Sequence, residues 1–407
     1  KCQVYFNELV TFNARILSMN KLRFLVLISS AIGSLTAYSQ PNGGGGGVII
    51  GQDTNNKSIT TAVPFLGITP DSRAAGMGDA GVATAPDVNS AYWNAGKLAF
   101  IEQGSGVSLS YTPWLGKIIN DMRLVHLGGF YKINREETVG ASLKYFDLGD
   151  IELRDGANIS LGRYNPREMA LDITYSRLLT DHFSVGTSLR YIYSNLVGNF
   201  QGSDAGSAHS VAVDLGVFYT KPFESKNATL SLGAAINNIG AKISYTDPNN
   251  ADFIPTNLRL GAAYKMDVNP MNSFTFALDF NKLMVPSPSG VVGSSRKKPL
   301  LEGIFGSFSD APGGFSEELS EFTISSGIEY WYNNTFAGRL GYFYEDQSKG
   351  NRKYLTAGVG FKYEKFVIDV AYMVPTNKRE NALAETIRFS IMYVLPAKAK
   401  EEESVTD

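Results

Sequence analysis

Cysteine is all but absent from this 407-residue chain. Cys2 stands alone near the N-terminus, so no intrachain disulfide can form and no thiol pair is available for redox or metal chemistry. Histidine is nearly as scarce. His126, His182 and His209 lie on separate segments, with no metal-ligand spacing and no H-E-x-x-H pattern. A basic surplus is missing too: the formal net charge is −2, which gives no reason to expect a nucleic-acid partner. Walker A and G-x-S-x-G patterns do not occur, and nothing marks one serine out as a nucleophile. The expectation is a protein without catalytic residues, cofactor or bound metal. Beyond position 40 there is no apolar run of 18 residues, which excludes a helical membrane protein.

What is present begins at Met19. Lys21 and Arg23 give a positive start, residues 24–37 form a short uncharged run, and Ala37-Tyr38-Ser39 places small residues before Gln40. That is a secretory signal over residues 19–39, too short for a spanning anchor. Residues 1–18 then read as an extension from a misplaced start. Removing residues 1–39 leaves 33 basic against 38 acidic side chains, a net charge of −5. Residues 40–63, with five consecutive glycines from Gly43, read as a flexible lead-in, and residues 396–407 as a charged tail.

Between positions 104 and 395 the chain alternates. Val107, Leu109 and Tyr111 are separated by Ser108 and Ser110; Met169, Leu171, Ile173 and Tyr175 by Ala170, Asp172 and Thr174; Ile387, Phe389, Ile391 and Tyr393 by Arg388, Ser390 and Met392. About fourteen segments follow this rule, and period two means strands with two unlike faces. Short connections (INREE at 133, YNN at 332) alternate with long ones (residues 146–166, 194–208, 237–255 and 282–320). Such sorting, with an even strand count, predicts an all-β, transmembrane, antiparallel up-and-down barrel of about 14 strands. The mean hydropathy of −0.09 agrees, since half of each strand would face a polar interior.

The face opposite the apolar row carries Arg123, Lys144, Arg190, Arg259, Arg339, Lys362 and Arg388, and with them Asp172, Asp214, Asp279, Glu329 and Asp369. A charge at mid-membrane on the lipid face would cost about 2–4 kcal/mol, so these must point into the lumen. Mixed signs predict cross-strand ion pairs, for example Arg190 between Asp172 and Asp214. Such a network packs a narrow barrel; the other reading is a polar track for a solute.

Residues 76–81, GMGDAG, match G-x-G-x-x-G literally. The context does not suit a dinucleotide. The preceding stretch is short and bounded by Pro64 and Pro70, and the following one carries Pro86 and no amphipathic helix. A glycine-rich packed turn is the expectation, built on Gly76, Gly78, Asp79 and Gly81. The run Arg73 to Ala83, followed by Asp87, Asn89, Ser90, Tyr92, Trp93, Asn94 and Leu98, resembles the N-terminal segment of FadL-like outer-membrane barrels, and more closely that of the PorV (LptO) family. Asn94-Ala95 departs from the usual Asn-Pro.

The resemblance implies that residues 64–103 plug the lumen of a FadL-like barrel over residues 104–395. It implies a Gram-negative outer-membrane protein with long loops outside, serving the type IX secretion system. Such proteins act as non-enzymatic shuttles: they take cargo with a C-terminal β-domain from a large translocon barrel and pass it to a surface attachment complex containing a sortase-like protein. The alternative function is a FadL-type transporter of small hydrophobic compounds. Partners would be the translocon, the cargo signal domains, the sortase-like proteins and outer-membrane lipids. Within the longest loop, Leu301, Ile304, Phe305 and Phe308 fall at i, i+3, i+4 and i+7, one face of a short helix. That face would either meet a protein partner or pack on the barrel's own mouth.

Overall fold

In the computed structural model, fourteen antiparallel strands close into a barrel. The structure describes residues 57–114, 121–154, 156–196, 206–288, 297–376 and 386–397, all within one compact unit, Asn55–Asp407. The predicted extension, the signal peptide, most of the lead-in and most of the tail lie outside the described residues.

The barrel strands are β1 (Ser105–Pro113), β2 (Arg123–Lys132), β3 (Glu137–Asp147), β6 (Arg167–Thr180), β7 (Phe183–Asn195), β8 (Ala208–Phe223), β9 (Ala228–Gly240), β10 (Asn257–Asn269), β11 (Asn272–Leu283), β12 (Phe322–Tyr332), β13 (Phe336–Tyr344), β14 (Lys353–Tyr363), β15 (Phe366–Pro375) and β16 (Ile387–Leu395). A separate hairpin, β4 (Ile151–Arg154) and β5 (Ser160–Tyr164), stands in the β3–β6 connection. Closure comes from β1 pairing with β16, from Ser105 opposite Leu395 to Tyr111 opposite Phe389. A closed ladder leaves no sheet edge, the condition for carrying strands through hydrocarbon.

The two faces are inverted relative to a water-soluble sheet. Along β1 the apolar Val107, Leu109 and Tyr111 are exposed, while Ser108, Ser110 and Thr112 are buried. β8 repeats this with Val211, Val213, Leu215 and Val217 outside and Ser210, Ala212 and Asp214 inside. An apolar belt outside and a polar filling inside is stable only with lipid around the belt.

Strands turn tightly at one end, as at Asn333–Asn334 between β12 and β13, both with left-handed φ of 50°. They are joined by long segments at the other. We call these the short-turn end and the long-loop end. One irregularity matters for the interior. Between β8 and β9 the register shifts at Val213/Leu215, a bulge that sets Asn237 and Asn238 against Asp214.

The N-terminal segment threads the lumen from the long-loop end to the short-turn end. Lys57 donates its amide to Ser348 O at 2.8 Å, and Ala62 donates to Phe253 O at 2.9 Å. Ala62, Val63, Phe65 and Leu66 are buried with Leu124, Phe146 and Ile192 from the wall and Ile254 from the β9–β10 connection. The lead-in therefore becomes structured before the expected boundary at 64. Then come α1 (Ser72–Ala75), α2 (Ser90–Trp93) and a 3-10 stretch, Ala95–Phe100, which delivers the chain to β1.

Candidate functional site

The plug is fitted to the wall main chain against main chain. Gly78 has φ +69°, and a Cβ there would lie 2.6 Å from Tyr342 N. From the other side, a Cβ on Gly341 of β13 would lie 2.0 Å from Gly78 N. Gly81 abuts the Trp93 ring, where a Cβ would approach to 2.3 Å, and a Cβ on Gly76 would lie 3.1 Å from Gly358 Cα. The glycines thus serve close packing, as the sequence context required.

The polar residues of the same stretch hold it in place. Asp71 caps α1 by accepting from Ala74 N at 2.9 Å, and it also accepts from Trp93 Nε1 at 2.8 Å. Asp79, itself at φ 63°, accepts from Tyr354 Oη at 2.6 Å and from Arg388 at 3.3 Å. Asp87 accepts from Arg73 at 2.9 Å and from Asn89 N at 2.9 Å. Asn89 accepts from Ser108 Oγ at 2.7 Å; Asn94 accepts from Gly96 N at 3.0 Å and donates to Val217 O at 2.9 Å.

Most of the predicted lumen charges meet as expected. Arg190 lies 2.5 Å from Asp172 and 3.0 Å from Asp214, and Arg339 lies 2.7 Å from Glu329 and 2.6 Å from Asp369. Arg73, which pattern reading passed over because it stands in the plug, joins Glu329 at 2.8 Å and ties plug to wall. The others meet different partners. Arg123 is not in the lumen: its side chain is 56% exposed at the long-loop rim, paired with Asp147 at 2.8 Å, because β2 begins there. Asp279 forms no ion pair among the described residues; its Oδ2 accepts from Gly81 N at 2.7 Å and Val82 N at 2.9 Å, so it serves as a wall-borne cap for the plug turn. Arg259 is stacked instead, with Cζ 4.8 Å from the Tyr92 centroid and 5.0 Å from that of Trp93. Lys144 donates to Ile68 O at 2.5 Å, and Lys362 lines a cavity at the short-turn end.

At the long-loop end the connection between β11 and β12 carries α3 (Leu300–Gly306) and α4 (Phe315–Ser320). The predicted four-residue face is divided. Leu301 (62% exposed), Phe305 (65%) and Phe308 point outward, but Ile304 is buried with Gly303 and Ser307. Gly303 allows this, since its missing Cβ leaves room for the Phe253 ring, and α3 rolls Ile304 inward. The helix stops at Gly306, so Phe308 lies past its end. Phe315 (78%) and Leu319, unmarked by the sequence pattern, extend the exposed apolar surface.

Buried ion pairs fasten this loop. Lys282 of β11 meets Glu318 at 3.1 Å and also Glu321; Lys349 meets Glu317 at 2.8 Å and Glu321 at 2.9 Å; Lys57 meets Glu317 at 2.6 Å. Burial by itself would raise the Glu317 carboxyl. Hydrogen bonds from Lys349, Lys57 and the Gly313 amide outweigh it and bring the pKa down to about 2.

Two cavities flank the plug and share no lining residue. One of about 710 Å³ opens toward the short-turn end beside Arg73, Asp87 and Glu329. The other, about 530 Å³, lies on the long-loop side beside Phe65, Trp93 and Arg259.

Several solved barrels are similar in outline. The Pseudomonas putida toluene transporter TodX matches at 12% identity and a TM-score of 0.47, over 79% of this chain and 96% of its own. The Ralstonia pickettii toluene transporter TbuX matches at 12% and 0.44, over 80% and 98%. A Pseudomonas aeruginosa FadL homologue matches at 12% and 0.45, over 84% and 100%. These scores are too low for a conclusion about this chain to rest on them. No curated protein sequence matches it at a significant level. The plug motif and the closed barrel instead coincide with a family match: the model of the type IX secretion system protein PorV covers residues 51–290, more than half of the chain, which therefore belongs to the PorV family and is an outer-membrane component of the type IX secretion system.

Proposed function

We propose that this barrel is a non-enzymatic carrier whose long-loop end faces outward. It receives cargo bearing a C-terminal β-domain from the large translocon barrel and hands it to a surface attachment complex containing a sortase-like protein. The observation that carries this reading is the rim. Leu301, Phe305, Phe308, Phe315 and Leu319 expose apolar surface on a loop that buried ion pairs hold in one place. Large side chains held out on a pinned loop suit a protein partner, because little ordering entropy is left to lose on binding. The lumen beneath is filled by a plug locked to the wall, which suits a carrier better than a conduit.

The test is a gentle detergent pull-down from native membranes, with bound species identified by mass spectrometry. Large barrel partners and proteins sharing a C-terminal domain are expected. The double variant Phe305→Ser/Phe308→Ser, with its barrel still heat-modifiable, is expected to lose most of them; undiminished recovery would reject the rim as the contact. A second reading, a transporter of small hydrophobic compounds, draws support from the aromatic side of the 530 Å³ cavity. A lone barrel carrying neutral apolar molecules would favour it.

A further inference from the structure

We infer that the outer wall of the barrel at the long-loop rim, from β2 to β8, binds the phosphate of a membrane lipid, and that Arg167 is its main ligand, with Arg123 beside it. This goes beyond the carrier reading and does not depend on it.

The lipid-facing row of β6 is the starting point. Arg167, Met169, Leu171, Ile173, Tyr175 and Arg177 share the outward phase of that strand. Leu171 (45% exposed) and Ile173 (64%) belong to the apolar belt, so the two arginines close the row at its two rims. Ten steps of about 3.4 Å, tilted by about 40°, separate them by roughly 26 Å along the barrel axis. That matches the height of the apolar band, so each arginine stands at the level of lipid headgroups.

The two rims treat their arginine differently. At the short-turn end Arg177 has Glu137 at 3.7 Å and Glu136 at 3.8 Å. At the long-loop end the guanidinium of Arg167 is exposed and makes no ion pair and no hydrogen bond among the described residues. Its register neighbours are Asp147 on β3 and Asn195 on β7. Asp147 is already committed. Its Oδ2 accepts from Arg123 Nε at 3.0 Å and Nη2 at 2.8 Å, and its Oδ1 from Gly149 N at 3.0 Å and Asn165 Nδ2 at 3.1 Å. Glu168 is turned inward, where it accepts from Ser194 Oγ at 2.7 Å. On the outward phase of this rim, two arginines therefore share one carboxylate.

The residues just below suit the interface of a bilayer. Tyr145, Met169, Tyr193 and His209 pair across β3, β6, β7 and β8. Tyr193 lies 5.2 Å from the His209 ring, and Tyr191 Oη stands 2.7 Å from His209 Nδ1. Such amphipathic rings favour the boundary between hydrocarbon and water. An acyl chain lying along Leu171 and Ile173 brings its headgroup to Arg167. A guanidinium fork matches phosphate oxygens in pairs. Neighbouring strands are about 4.8 Å apart, so Arg123 and Arg167, two strands apart, can both attract one headgroup.

The experiment is native mass spectrometry of the full chain in a neutral detergent, titrated with dioleoyl phosphatidate. Dioleoylglycerol, which has the same chains and no phosphate, is the comparison, and inorganic phosphate is the competitor. The first phosphatidate should bind at least about ten-fold more tightly than dioleoylglycerol, the ratio expected for one charge-assisted contact, and equimolar phosphate should not displace it. Arg167→Gln should lose at least about ten-fold in affinity, and Arg167→Lys less. Arg177→Gln, at the other end of the same strand, should leave the affinity unchanged. Heat-modifiable migration checks that each variant is folded; should Arg167→Gln fail it, Arg167→Lys and the lipid ratio in the unmodified chain carry the test. Equal binding of dioleoylglycerol, displacement by phosphate, unchanged affinity in Arg167→Gln, or an equal loss in Arg177→Gln would each overturn the assignment.

Discussion

The plug's hold on the wall can be tested with one methyl group. In Gly341→Ala the new Cβ would stand 2.0 Å from Gly78 N and 2.1 Å from Met77 C, about 1.4 Å short of ordinary contact, which begins at 3.4 Å. Overpacking usually costs about 1–3 kcal/mol, but only where side chains can yield. Here both obstacles are main-chain atoms of the plug, so relief requires the turn at residues 77–82 to lift. Lifting breaks the bond from Gly78 N to Thr356 Oγ1 and the two amide bonds to Asp279. The two bonds to a carboxylate alone are worth roughly 3–6 kcal/mol. The shortage of native cysteine makes the assay clean. Ala80 is fully buried, and Ala80→Cys can be labelled by a maleimide only when the turn opens. Labelling should quicken by at least about 100-fold in Gly341→Ala, since each 1.4 kcal/mol is a factor of ten. Gly338→Ala on the same strand is the control, because a Cβ there meets nothing within 4 Å. Equal labelling rates in the two variants would refute the contact as the seat of the plug.

Three further outcomes are expected. Glu329→Gln removes the charge shared by Arg73 and Arg339, and breaking a buried pair from one side costs about 3–5 kcal/mol, read as a lower heat-modifiability midpoint. The Glu317 latch should resist acid: its folded pKa is depressed, so its contribution is complete above the ordinary carboxyl value of 4.5 and is lost as pH falls toward about 2. Protease cutting within residues 300–320 should accordingly stay constant from pH 7 to 5 and rise only below, and Glu317→Gln should abolish that dependence; protection lost already by pH 5 would contradict it. Ile173→Arg, on the outer face at the middle of β6, should cost about 2–4 kcal/mol in denaturant unfolding from vesicles, whereas a site near either rim should cost far less.

The strands were legible because alternation is local. A β-strand sends successive side chains to opposite faces, so the rows through Val107, Ile173 and Ile391 announce both the element and its two environments. Loop sorting then specified a barrel of about fourteen strands. The ion pairs of Arg190 were legible for the same reason, since residues sharing a phase at similar height must share the lumen. The glycine stretch could be read as packing from the sequence around it, and the run from Arg73 to Leu98 was specific enough to suggest its family.

Other features depended on which surfaces the closed chain brings together. Phase alone placed Arg123 with the lumen charges, but height along the strand put it at the rim. Asp279 pairs with plug amides because the plug passes beside it, and no spacing in the sequence records that passage. The bulge opposite Asp214 and the inward roll of Ile304 arise from neighbours distant along the chain. So does the latch, where Lys57, Lys282 and Lys349 reach Glu317 and Glu321 from separate segments and meet them only once the barrel has closed. Local periodicity settles which face a residue takes, whereas tertiary contact settles whom it meets there.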